Sequence, residues 1–172
     1  MLISQDEALS NPILSGKINS INETTGARFK QLTVKFFDQL TTNELYEILQ
    51  ARTAVFIVEQ ACSYQDIDGV DRQALHITLR EDGKLLAYLR LFSHDEDTAQ
   101  IGRVLATERR KGYAAAVLRE GIRAAREISG KKAVYLEAQT YAMPLYEKEG
   151  FRPISEEFLE DGIPHVAMRL EF

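Results

Sequence analysis

The sequence predicts an α+β fold, in which a mixed and mostly antiparallel sheet lies between helices as an α/β/α sandwich. Three observations carry that reading. An Asp82-Gly83 turn joins two apolar β-like runs, 76–80 and 85–92, which is the composition of a tight hairpin. A strand at 100–106 leads through a cationic turn into an amphipathic helix at 112–128 and then into an apolar strand at 133–138, the order of a parallel crossover. Near the end, Val166, Met168, Leu170 and Phe172 alternate with Arg169 and Glu171, so one face of a last strand is buried.

The elements follow in order. Residues 1–33 hold Asn11-Pro12, Ser15-Gly16 and a polar run at 19–26. They show no period and read as an N-terminal extension, flexible by composition. A domain from 34 to 172 follows. Val34-Lys35-Phe36-Phe37 reads as the first strand. Thr41 with Glu44 three residues on forms a capping box, and Leu45, Ile48, Leu49, Arg52 and Phe56 continue at helical spacing, so a helix is expected over 42–58. The acid-rich stretch 59–73 reads as a loop. The hairpin 76–92 and a third strand at 100–106, after a turn at His94-Asp95-Glu96-Asp97, should form an antiparallel meander. In the 112–128 helix, Leu118, Gly121, Ile122, Ala125 and Ile128 share a face while Arg119, Arg123, Arg126 and Glu127 turn to water. A short helix is expected at 142–149, with Pro144 tolerated in its first turn and Gly150 at its end. Strands at 151–158 and 165–172 close the chain.

Composition narrows the function. The chain has 172 residues, 45% of them hydrophobic, and a net charge of −5, so one domain with one core is expected and a nucleic-acid surface is not. No apolar run approaches the roughly 20 residues of a membrane span, and the acidic start at Asp6-Glu7 is unlike a signal peptide. Cys62 is the sole cysteine, so no intrachain disulfide forms. Together these point to the cytoplasm. Three histidines and one cysteine make no zinc set. In Asp66-Ile67-Asp68-Gly69-Val70-Asp71 the glycine falls too early for an EF-hand loop, so no metal is expected.

The chemistry concentrates where the strand at 101–106 passes into the 112–128 helix. A helix N-terminus offers free main-chain N–H groups and a partial positive charge, which together seat phosphate. Gly112, Ala114, Ala115 and Ala116 keep the approach small, and Arg109, Arg110 and Lys111 add charge. Neither G-x-x-x-x-G-K-[ST] nor G-x-G-x-x-G is present, so a P-loop or Rossmann site is not supported.

Arg109-Arg110-Lys111-Gly112-Tyr113-Ala114 resembles the GNAT acetyltransferase signature, (Gln/Arg)-x-x-Gly-x-(Gly/Ala), placed between strand and helix as that family has it. Tyr146-Glu147-Lys148-Glu149-Gly150-Phe151 resembles the family's second hallmark, a tyrosine followed by Gly-Phe. Leu45-Tyr46-Glu47-Ile48-Leu49, Val55-Phe56-Ile57-Val58-Glu59-Gln60, Tyr64-Gln65-Asp66-Ile67-Asp68-Gly69, Ile101-Gly102-Arg103-Val104 and Asp161-Gly162-Ile163-Pro164-His165 resemble its ElaA-like branch. The resemblance runs from about residue 34 to the end. One departure is Tyr141-Ala142-Met143-Pro144, where many members carry a cofactor-contacting Asn.

The resemblance implies the GNAT acyl-CoA N-acyltransferase fold, with the sheet splayed between its fourth and fifth strands, 100–106 and 133–138. It implies acetyl-CoA as donor, CoA as product, and a small-molecule or peptide amine as acceptor. The diphosphate would lie on the main chain of Arg109, Arg110, Lys111, Gly112, Tyr113, Ala114 and Ala115. The pantetheine arm would run along Val104, Leu105 and Ala106, with an N–H near Val104 or Leu105 on the thioester carbonyl. Tyr146 would protonate the leaving thiolate. The amine must attack as the neutral base, and Glu59 is the first candidate to deprotonate it, His165 the second and Glu137 the third. Asp66, Asp68, His76, Glu137 and Gln139 are expected to line the acceptor side. Alternatives are a longer acyl-CoA or an acyl carrier protein as donor, or a CoA-binding sensor without catalysis. Oligomeric state stays open, with a homodimer common in the family.

Overall fold

The computed structural model describes residues 21–25 and 28–172. Nine strands and three α-helices are found among them, in the order β1 (Ile21–Thr25), β2 (Arg28–Phe36), α1 (Thr42–Arg52), β3 (Leu75–Glu81), β4 (Lys84–Ser93), β5 (Thr98–Ala106), α2 (Tyr113–Glu127), β6 (Ala133–Gln139), α3 (Met143–Lys148), β7 (Arg152–Pro153), β8 (Phe158–Glu160) and β9 (Ile163–Glu171). They make one sheet in the spatial order β1-β2-β3-β4-β5-β6-β9-β7, with β8 also on β9. Every pairing is antiparallel except β5 with β6, as the crossover requires.

The first strand is longer than its apolar run. β2 begins at Arg28 and pairs along β3 from Lys30↔Glu81 to Phe36↔Leu75, and β1 precedes it. Part of the segment read as an extension is therefore sheet, because main-chain pairing needs no apolar period. The rest of that reading, residues 1–20 and 26–27, lies outside the described residues. The Asp-Gly hairpin forms as expected, with Asp82 at φ 49 and Gly83 at φ 82, both in the left-handed region that a type I′ turn demands.

The two faces of the sheet are covered by different helices. Along β4, successive residues point to opposite sides. Tyr88 packs with Ile48 of α1 and Leu105 of β5. Leu89 joins the main core beneath Val117, Leu118, Ala124 and Ala125 of α2. The α/β/α layering thus follows from strand alternation against two amphipathic helices.

α1 opens as predicted: Thr41 Oγ1 accepts from Glu44 N–H at 3.2 Å, and Glu44 accepts from Thr41 N–H at 2.9 Å. It ends as an α-helix at Arg52 and continues as a wider π-helical stretch, Thr53–Glu59. A run of β-branched residues (Thr53, Val55, Ile57, Val58) crowds the normal α-helical turn, and Thr53 Oγ1 donates back to Leu49 O at 2.9 Å, a contact that bends helices. The strand expected at 151–158 is broken. Pro153 has no N–H to offer a ladder, and between β7 and β8 the Ser155 hydroxyl takes the N–H of Ala167 at 2.9 Å, leaving one main-chain bond there, from Ile154 N–H to Ala167 O at 2.8 Å.

Candidate functional site

Two local features make the site. The first is the parting of β5 from β6. They pair only at Thr98↔Ala133, Ala99↔Val134 and Gln100↔Tyr135. Beyond Gln100 the strands diverge. A cavity of about 260 Å³ opens between them, walled by Ile101–Val104 on one side and Leu136, Glu137 and Gln139 on the other. The splay expected between these strands is present.

The second is a bulge in β5. Its register with β4 passes from Arg90↔Gly102 to Tyr88↔Leu105, so Leu89 alone faces both Arg103 and Val104. Bulges re-aim main chain next to active sites. Arg103 sits at φ 56.

The α2 N-terminus is open. Gly112, at φ 78, occupies the cap position and no side chain caps the helix, so the N–H groups of its first turn keep the free donors and positive end of an uncapped helix. Arg110 at φ 60 adds a second left-handed residue to the turn. The first turn carries no acid. Arg109 is taken: its guanidinium pairs with the Glu59 carboxylate, both exposed. Val104 reaches the cavity wall. Leu105 has its side chain in the α1-side core, and neither it nor Ala106 is on the cavity wall.

Tyr146 is positioned by the end of α3. Phe151 N–H donates to Tyr146 O at 3.1 Å and Gly150 N–H to Glu147 O at 3.0 Å, the paired bonds of a Schellman ending with glycine left-handed. Gly150 has φ 98. This explains the Tyr-x-x-x-Gly-Phe spacing: the ending folds buried Phe151 back to meet the Tyr146 ring edge-on at 6.1 Å. Tyr146 lines the cavity from a buried position. Burial pushes its phenol above the ordinary value of 10, so it stays protonated.

His165 also lines the cavity. Its Nδ1 lies 2.8 Å from Ile163 O. A carbonyl only accepts, so Nδ1 carries the proton in the neutral ring and Nε2 is left as a base. Nε2 stands 3.7 Å from Glu160, and Phe158 stacks on the ring. Glu137 lines the wall and accepts from Tyr135 Oη at 2.9 Å. Gln139 exchanges two amide bonds with Gln60, at 3.3 and 3.2 Å, tying the π-helical stretch to β6.

Three residues expected on the acceptor side stand apart from the cavity wall. Asp66, Asp68 and His76 do not line the cavity; they belong to a polar network behind it. Asp66 accepts from Arg52 Nε at 2.9 Å and Arg103 Nε at 2.6 Å. Asp68 accepts from Arg90 at 2.8 and 2.6 Å. His76 is fully buried, with Nε2 on Asp71 O and Nδ1 on Tyr88 Oη, both 2.9 Å. Burial depresses its pKa and keeps it neutral. Glu59, the first base candidate, is likewise off the cavity wall and engaged with Arg109. Tyr64, which sequence reasoning assigned to the acceptor pocket or the core, is on the wall, and so are Arg90 and Arg103, which it left out. The available signal was Gly102-Arg103 inside an otherwise apolar strand.

Comparison with known proteins places this geometry. The model of the acetyltransferase (GNAT) domain matches residues 37–172. A UPF0039 protein of Schizosaccharomyces pombe is 43% identical over 145 residues, covering 82% of this chain and 97% of that protein. The crystal structure of an acyl-CoA N-acyltransferase from Pseudomonas aeruginosa is similar at a TM-score of 0.74 and 40% identity, over 80% of this chain and 97% of that one. That of Escherichia coli ElaA is similar at a TM-score of 0.77 and 35% identity, over 83% and 99%. With its parted strands, uncapped helix and matched sequence, the chain belongs to the GNAT acetyltransferase family, with the ElaA proteins among its relatives.

Proposed function

We propose that this protein is an N-acetyltransferase that moves the acetyl group of acetyl-CoA to a primary amine by direct attack in a ternary complex. The observation that carries the reading is the gap beyond Gln100↔Tyr135. It leaves the main chain of β5 free on the side facing Tyr146 and the cavity, where a pantetheine arm can pair as a strand would.

The donor's diphosphate lies on the first-turn N–H groups of α2, with Arg110 and Lys111 beside it and Arg109 shared with Glu59. Tyr113, Ala114 and Ala115 present main chain rather than bulk. The thioester carbonyl meets N–H groups at the β5 bulge, near Val104 and Leu105. They hold the oxyanion of the tetrahedral intermediate, a role worth roughly 2.7–4 kcal/mol per donor in other enzymes.

The acceptor enters past Glu137, Glu160 and Asp161 on the opposite wall. These acids favour an amine that arrives as the ammonium ion. His165 Nε2 removes its proton, directly or through a water, with Glu137 the other group on that wall able to do so. The nitrogen attacks the carbonyl carbon, the C–S bond breaks as the intermediate collapses, and the proton that the nitrogen still has to lose passes through solvent to the thiolate, giving the amide and the CoA thiol. Tyr146 offers its hydrogen to the departing sulfur. Its raised pKa makes it a weak acid, so the hydrogen bond to the thiolate is its main contribution.

Titration of acetyl-CoA into Gly112→Ala and Gly112→Asp tests the donor site. An added Cβ at Gly112 has nothing within 4 Å, so alanine brings only the strain of its φ. Aspartate brings a carboxylate that competes for the same N–H groups and repels phosphate. The expected result is near-normal affinity for Gly112→Ala and a loss of about tenfold or more for Gly112→Asp, the equivalent of ~1.4 kcal/mol. Unchanged affinity in Gly112→Asp rejects the donor site. Release of CoA with a panel of primary amines then tests the transfer itself.

A further inference from the structure

Arg103 is the unexplained residue of the site. It holds φ 56 within a strand, a region in which an L-residue's Cβ crowds the backbone and which a bulge usually fills with glycine. The glycine here stands one place early: Gly102 lies outside the left-handed region. A strained residue persists only where its surroundings over-determine it.

Those surroundings are on the α1 side of the sheet. Arg103 Nε donates to Asp66 Oδ1 at 2.6 Å, and Nη2 reaches Asp68 at 3.5 Å. The guanidinium lies over the Tyr64 ring, 5.3 Å from its centre, and Tyr64 Oη donates to the same Asp66 oxygen at 3.1 Å. The other Asp66 oxygen is held by Arg52, which is wholly buried at the end of α1. Asp66 is itself buried, so it cannot follow a relaxing side chain outward. The opposite face is also fixed. Leu89, which faces the bulge, and its neighbour Ile101 pack against Gly121 of α2 so closely that an added Cβ would stand 3.1 Å and 3.3 Å from them.

We propose that Asp66 and Arg103 form a clamp that sets the β5 bulge and so aims its main-chain N–H groups at the acyl carbonyl. Arg103 is a positioning residue: it acts through its own backbone geometry, and Asp66 acts through Arg103. The proposal rests on the reading above that the thioester lies against β5.

The test separates backbone geometry from side-chain contact. Glycine adopts φ 56 without strain and needs no clamp; alanine has the strain and no clamp. Acetyl-CoA labelled with ¹³C at the carbonyl is bound to wild type, Arg103→Ala and Arg103→Gly, and its carbonyl stretch is recorded by infrared difference spectroscopy. Hydrogen bonding weakens the C=O bond and lowers the stretch. Affinities for acetyl-CoA and for CoA, which lacks the carbonyl, are measured in parallel. Wild type and Arg103→Gly should show the lowered stretch. Arg103→Ala should lose it, with the acetyl-CoA to CoA preference falling about threefold to tenfold and CoA affinity unchanged. Arg103→Gln, which keeps bulk and removes the charge, stands in if Arg103→Ala does not fold, and should behave like it. A retained shift in Arg103→Ala or Arg103→Gln, a shift lost in Arg103→Gly, or no shift in wild type overturns the clamp. If wild type binds neither acetyl-CoA nor CoA, the donor reading fails and the clamp falls with it.

Discussion

Tyr146 puts one hydroxyl in reach of the site with nothing to titrate it away. Burial raises its pKa, so between pH 6 and 9 it is uniformly a neutral donor, and a rate that depends on it shows no limb from its ionisation there. Tyr146→Phe keeps the ring against Phe151 and removes only the hydroxyl. We expect turnover of an amine found by the panel to fall about 10- to 100-fold, the range of a hydrogen bond to a charged group. Acetyl-CoA affinity should stay within about twofold, since the lost bond forms on the leaving thiolate. Steady-state kinetics and direct titration read the two quantities. A variant with full turnover would leave the thiolate to solvent.

At the scale of elements, α2 does two jobs from one position. Its uncapped start is where the proposed donor site begins, and Gly121 two turns later sets its depth on the sheet. An alanine there would bring Cβ to 3.1 and 3.2 Å from the Leu89 methyls and 3.3 Å from Ile101 Cδ1. Overpacking of this kind costs about 1–3 kcal/mol, against a gain of about 0.5–1 kcal/mol from alanine's better helix propensity. Gly121→Ala is therefore expected to be destabilised by roughly 1 kcal/mol net on urea unfolding. Because Leu89 and Ile101 adjoin the bulge, its acetyl-CoA affinity should fall as well. Gly121→Ala as stable as wild type would mean that the two side chains give way freely.

Across the whole molecule, the polar network joins the end of α1, the acidic loop and two strands, β4 and β5, through Arg52, Asp66, Asp68, Asp71, Arg90 and Arg103. A buried pair broken by removing one partner leaves an uncompensated charge, so this network sets how the fold responds to acid. Partial burial pushes the Asp68 carboxyl up, but hydrogen bonds from Arg90, the charge of Arg90 and the Val70 N–H outweigh it and bring it down to about 2 from 3.8. A carboxylate depressed in the folded state adds stability that is present above its unfolded value and is lost as pH falls through the folded one. Stability should therefore decline between about pH 4 and pH 2. Asp68→Asn should be less stable at pH 7 and have a flatter profile across that window. The urea midpoint followed against pH checks both; an equally steep decline in Asp68→Asn would assign the acid sensitivity elsewhere.

Much of this protein was legible in one dimension because the physics involved is local. Strand alternation, the Asp82-Gly83 turn, the Thr41–Glu44 cap and the amphipathic face of α2 each depend on residues within a few positions of one another. So does the uncapped start of α2, where a glycine and alanines open a helix. The Tyr146 spacing is equally local, since a Schellman ending spans six residues. What only the folded chain decided were the partners of charged side chains. Asp66, Asp68 and Glu59 looked free to meet a substrate, and the fold instead brought Arg52, Arg90, Arg103 and Arg109 to them across 14 to 50 residues of sequence. A carboxylate's role is set by the nearest opposite charge in space, and sequence order does not encode that distance.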